Sequence, residues 1–219
     1  MKINWKYAIG EVLIVIIGIS LAFALNNWKE RGANSTQKKQ YLENLALDIN
    51  QEISQLERNQ EAVNEKLKTI EMVKPFLGKD PGRRDTIIRK VFELARLVNF
   101  YPENSTYQTL INSGDMKLIG NFQLRRSLEE HFALHKIVLQ DYERIEKIHE
   151  KYLGDFFIYH INFNELRFGN TDFLDNPLIA NIITSVEGAY YLVLKGNERC
   201  LKSNKDLLEK IEAELNNVT

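Results

Sequence analysis

Residues 7–25 form an almost unbroken apolar run, interrupted by one charge at Glu11. A bilayer-crossing helix needs about 20 apolar residues, so the run predicts a single N-terminal transmembrane helix. Trp5 and Tyr7 precede it and Trp28 follows. At the helical rise they stand about 35 Å apart, as rings anchored in two membrane interfaces should. The small polar stretch 32–36, Gly-Ala-Asn-Ser-Thr, predicts a hinge, with Asn34 and Gln37 spaced as a helix-start pair.

Beyond it the pattern becomes helical and amphipathic. Between 37 and 73, Leu42, Ala46, Ile49, Ile53, Leu56, Val63, Leu67 and Ile70 recur at spacings of three and four, with Gln60 in the one gap. Lys74-Pro75 and Gly78-Lys-Asp-Pro-Gly82 stop that helix, because proline cannot continue the hydrogen-bond ladder. A shorter helix is predicted over 85–98, with Ile87, Ile88, Val91, Leu94, Ala95 and Val98 on its apolar face. Ser105 and Gln108 read as a capping box opening a short helix that Gly114 closes. Asn121 caps a long helix with the seam Leu124, Leu128, His131, His135, Val138, Tyr142, Ile145, His149 and Tyr152. Asn176-Pro177 opens the last helix, whose seam includes Ile179, Ile183, Val186, Tyr190, Val193, Leu201, Leu208, Ile211 and Leu215. No strand pattern competes. The chain therefore reads as all-α, one N-terminal transmembrane helix followed by an elongated antiparallel helical bundle. Its parts are an anchor (1–31), a joint (32–36) and an extramembrane bundle (37–219).

Composition narrows the function classes. Lys and Arg number 29 against 30 Asp and Glu, so there is no global charge to draw the 219-residue chain to nucleic acid. The single cysteine, Cys200, excludes an intrachain disulfide and the cysteine-based structural zinc patterns.

The segment Lys6-Tyr7-Ala8-Ile9-Gly10-Glu11, followed by an aliphatic run and Asn26-Asn27-Trp28-Lys29-Glu30, resembles the opening of a family of uncharacterised single-pass membrane proteins from Bacteroidota. Tyr107-Gln108-Thr109-Leu110-Ile111-Asn112-Ser113-Gly114, with Leu118-Ile119 after it, is similar to that family's internal segment. The resemblance implies a bacterial envelope setting and carries no activity, cofactor or site residue.

Within the apolar run, Glu11, Val15, Gly18, Ala22 and Asn26 share one helical stripe, while the other faces are aliphatic or Phe. Small residues let helix backbones approach in lipid, so the stripe predicts a helix-helix interface. Glu11 is placed either at the membrane surface, reaching headgroups or Lys6, or against a partner. A cleaved leader is the competing reading of the run, since Ala22-Phe23-Ala24 fits a cleavage pattern. The internal charge and the length favour an uncleaved anchor. Positive charges flank the run on both sides; the short basic N-terminus is expected in the cytoplasm and the bundle in the periplasm, at the bacterial inner membrane.

Chemistry is sparse. His131 and His135 are four apart and could share a metal, but the sequence offers no evident third ligand, and both lie on the apolar seam, where hydrogen-bonded core histidines are expected. Glu146-x-x-His149 has no second copy, which excludes a carboxylate-bridged di-iron site. No catalytic motif, metal site or cofactor is expected. The aromatic stretch 155–173 reads either as rings closing one end of the bundle or as a partner surface built from Phe156, Phe157, Tyr159, Phe163 and Phe168. The expected function is a non-enzymatic, membrane-anchored helical module for assembly, scaffolding or sensing. Its partners would be the bilayer and either itself, as a homo-oligomer, or another membrane protein. The alternative is a subunit of an ion or proton pathway using Glu11 in the membrane.

Overall fold

The computed structural model describes residues 5–78 and 84–217, with side chains from Gly10 in the first stretch and from Ile87 in the second. Every regular element among them is helical. Helix α1 (Trp5–Val73) is followed by α2 (Arg84–Leu94), α3 (Ser105–Ser113), α4 (Phe122–Ile148), α5 (Asp155–His160), α6 (Phe163–Leu166) and α7 (Pro177–Asn216). Of the expected helix stop at 74–82, residues 79–82 lie outside the described residues.

The bundle has four legs that alternate in direction. α1 runs up, and α2, the extended segment 95–104 and α3 form a broken return leg. α4 and α5 run up again, joined through a π-helical turn at His149–Gly154, and α7 returns. Leu42, Leu45 and Ile49 share one apolar cluster with Leu110, Leu124, Leu128, Leu207 and Ile211. Leu56, Val63 and Ile70 share another with Val91, Tyr142, Ile145, Ile183, Val186 and Tyr190. The start of α4 and the end of α7 thus lie beside the early bundle part of α1, which makes α7 antiparallel to both. Local caps match the expectations at two starts and one end. The Asn121 side chain accepts from the Gln123 and Leu124 amides, and that of Asn176 from Leu178, one residue past Pro177. Gly114 ends α3 at φ 73°, in the left-handed region glycine favours.

Three expectations are corrected. The hinge at 32–36 is absent, because α1 continues through it unbroken for 69 residues, about 104 Å. None of the five residues is proline, and Thr36 Oγ1 donates to the Gly32 carbonyl at 3.1 Å, a bond within the helix. At α3 the capping box is replaced by a tertiary cap: Asp48 of α1 accepts from the Thr106 amide (3.1 Å) and the Ser105 hydroxyl (3.4 Å). The second helix stops at Leu94, so Val98 packs from an extended segment.

Among the described residues, two helices are long and apolar enough to cross a membrane, Gly10–Phe76 (α1 from Gly10 with the 3-10 turn Lys74–Phe76 after it) and Pro177–Asn216 (α7). They differ in setting. The apolar window of α7 is 39% buried and faces the core, whereas that of α1 is 0% buried, every residue from 11 to 33 being exposed. From Leu42 onward α1 is locked down. Near that point Lys38 Nζ meets Glu214 at 2.5 Å, and Gln37 and Tyr41 both donate to Asp115 Oδ2.

A continuous α1 makes Gly32→Ala favourable. A Cβ there meets nothing within 4 Å, and alanine gains roughly 0.5–1 kcal/mol over glycine inside a helix. The expected result is a roughly two- to fivefold slowing of amide hydrogen exchange across residues 33–37; faster exchange would restore the hinge.

Candidate functional site

The heptad spacing that buries Leu45, Ile49 and Leu56 places Glu52 on the same face, between the two apolar clusters. Its carboxylate is 0% exposed. A carboxylate removed from water must be hydrogen-bonded or paired, and here the other three legs supply partners. Glu52 Oε1 accepts from Asn204 Nδ2 at 2.8 Å and the Cys200 thiol at 3.5 Å, both on α7, and lies 2.9 Å from His135 Nε2 on α4. Oε2 accepts the Glu103 amide of the extended segment at 3.2 Å. His131, one turn before His135, is 1% exposed; its Nδ1 lies 2.9 Å from Ser203 Oγ and its Nε2 3.6 Å from Glu52 Oε1, without a hydrogen-bond partner. The two imidazoles meet edge to face at 4.6 Å between centroids.

Two turns along α1, a second polar layer joins the same legs. Asn59 Nδ2 donates to the Asn99 carbonyl and the Tyr142 hydroxyl, and Tyr142 donates to Asn197 Oδ1.

The electrostatics follow from burial and partners. Burial raises the Glu52 carboxyl, but the His135 hydrogen bond and charge, helped by Asn204 and His131, outweigh it and hold the group below the usual carboxylate range. Burial, reinforced by His135 and opposed by Glu52, pushes the His131 imidazole down to about 4. At neutral pH the layer therefore holds an ionised carboxylate beside a neutral His131. Burial, then Glu52, push the Cys200 thiol far up, so it is no nucleophile. His149 is occupied elsewhere, with ring nitrogens 2.9 Å from the Ile145 carbonyl and 2.8 Å from that of Leu94.

The other expected site residues lie apart from this layer. Glu11, Val15, Gly18, Ala22 and Asn26 sit on the exposed part of α1, where a Cβ at Gly18 meets nothing within 4 Å. Trp28 is exposed; the side chains of Trp5 and Tyr7 lie outside the described residues. The aromatic stretch divides. Phe156, which the partner-surface reading would expose, is core at 1% exposure, as the reading of rings closing the bundle requires, and Phe157 packs edge to face on Phe92 at 4.9 Å. Tyr159, Phe163 and Phe168 are exposed. The π-turn moves the seam by one position, so Leu153 turns inward and Tyr152, expected inside, turns out.

Glu52 is the residue that sequence reasoning missed. Its mark is a charge at an a/d-type position, four before Leu56 and three after Ile49, where the apolar Ile53 beside it drew attention instead.

No curated protein matches the chain, and no solved structure does. A family model does, over residues 11–187, which include the exposed apolar helix, Glu52 and both histidines. By that match, which spans most of its length, the chain belongs to the family described as "Family of unknown function (DUF6090)".

Proposed function

We propose that this protein is a membrane-anchored, non-catalytic helical interaction module of the bacterial inner membrane. Residues 10–28 of α1 cross the bilayer once, with the N-terminus in the cytoplasm and the bundle in the periplasm. The supporting observation is the fully exposed apolar stretch of α1, where Val12, Leu13, Ile14, Val15, Ile16 and Ile17 are each more than half exposed. An apolar helix surface of this extent is stable only when lipid or another protein covers it. Because α1 continues unbroken into the bundle, a rotation or shift of the anchor is passed directly to the Glu52 layer, as an assembly or sensory subunit requires. The stripe through Gly18 and Ala22 is the part of the anchor best shaped for a second helix, in another copy of the chain or another membrane protein.

The test is crosslinking in native membranes and in detergent. Gly18→Leu fills the small-residue stripe and is expected to weaken association roughly tenfold, about 1.4 kcal/mol. Leu21→Ile, on another face, should leave it unchanged. Equal behaviour of the two variants would reduce the span to a tether.

A further inference from the structure

We propose that Glu52, His131 and His135 bind one divalent transition-metal ion of the zinc class in the core of the bundle. One ligand atom from each of the three side chains lies within 4.8 Å of the other two. Zinc bound at 2.0–2.1 Å in a tetrahedron holds its ligand atoms about 3.3 Å apart. The distances from Glu52 Oε1, 2.9 Å to His135 Nε2 and 3.6 Å to His131 Nε2, bracket that value.

A second, independent observation points to a ligand. His131 Nε2 is fully buried and unpartnered, and it faces the carboxylate. A buried ring nitrogen without a partner is costly in a bundle that satisfies every other group around Glu52 except the Asn204 carbonyl oxygen. A metal ion uses that lone pair. Its other nitrogen, Nδ1, then donates to Ser203 Oγ at 2.9 Å, the outer hydrogen bond that orients a metal-bound histidine.

The donor set selects the ion class. Two imidazoles and one carboxylate suit zinc and neighbouring first-row ions, whereas calcium and magnesium take oxygen ligands. Binding releases to solvent the proton between His135 Nε2 and Glu52, and water fills the fourth position. His135 also lines a groove of about 420 Å³ with Asn104, Tyr107, Phe132 and Lys136. Such an ion ties α1 to α4 in the layer between the two apolar clusters, independently of the membrane association proposed above.

The experiment uses the full-length chain in detergent, purified without a metal-chelating tag, stripped with EDTA and titrated with Zn²⁺ and Co²⁺. One ion per chain is expected, with Co²⁺ giving the intense visible bands of a tetrahedral site. Glu52→Gln and His135→Gln should weaken Zn²⁺ binding more than roughly 100-fold, and Ser203→Ala by roughly 10–100-fold. His160→Gln, at an exposed histidine, should leave binding unchanged. X-ray absorption of the wild-type zinc complex, which needs no variant to fold, should carry two imidazole shells. Failure of the natively helical wild type to retain Zn²⁺ or Co²⁺, absence of the imidazole shells, or wild-type affinity in Glu52→Gln would overturn the proposal.

Discussion

Replacing Glu52 by alanine is expected to lower the unfolding free energy by roughly 3–5 kcal/mol, the cost of removing one member of a buried charged network. The truncation leaves Asn204 Nδ2, the Glu103 amide and His135 Nε2 without their acceptor in a buried layer. It also leaves a void between the two apolar clusters, which adds a cavity cost. Glu52→Gln keeps the shape and one acceptor oxygen, so its loss should be nearer 1–2 kcal/mol. Glu57, one turn on, provides the control. It pairs with Lys205 at 3.7 Å with both side chains more than half exposed, and Glu57→Ala should cost no more than about 0.5 kcal/mol. Denaturant unfolding of the detergent-solubilised protein, followed by circular dichroism, measures all three. A Glu52→Ala loss as small as that of Glu57→Ala would mean that the carboxylate is not held by the bundle.

The second large effect is expected at Phe156. Its ring is 1% exposed, inside the cluster that includes Leu153, Phe173, Ile179 and Ile183, so Phe156→Ala should cost about 3–5 kcal/mol. Phe168, twelve residues later and 92% exposed, touches no such core, and Phe168→Ala should stay within about 0.5 kcal/mol of wild type. The same unfolding measurement separates them. Similar costs at the two positions would mean that Phe156 is not held in the core. The surface left for a partner is then Tyr159, Phe163 and Phe168, with the neighbouring Ile158 also exposed.

Hydrophobic periodicity made the architecture legible, because three and four spacings survive along each long helix whatever its neighbours are. The Asn121 and Asn176 caps and the Gly114 stop were legible for the same local reason: each satisfies backbone groups a few residues away. What failed was local chemistry overruled by context. A polar pentapeptide suggested a hinge at 32–36, yet none of its residues forbids helix, and α1 on either side carries the helix through at the modest cost of one glycine.

The candidate site was illegible for a different reason. Reading the core from apolar residues alone follows α7 through Leu201, Leu208 and Leu215. The buried line instead runs through Asn197, Cys200, Asn204, Leu207, Ile211 and Glu214. On α1 the same error substitutes Ile53 for Glu52. Polar residues that complete one another across four legs carry no hydrophobic signal, and their partners are 83 to 152 positions apart for Glu52 with His135 and Asn204. In the sequence only the histidines stand out, and without Glu52 they have no third ligand.

The proposed function requires the apolar part of α1 to lie in a bilayer while the bundle stays in water. A nitroxide placed by cysteine substitution at Ile17, and another at the exposed Leu47 on the bundle part of the same helix, reports this in lipid nanodiscs, with the wild-type Cys200 buried. Ile17 and Leu47 are thirty residues, about 45 Å, apart along α1. Collisional relaxation is read with oxygen, which concentrates in the hydrocarbon, and with a water-soluble nickel chelate. The expected result is a label at position 17 relaxed by oxygen and shielded from nickel, with the opposite pattern at position 47. Equal nickel access at the two positions would contradict the membrane anchor and, with it, the proposed function.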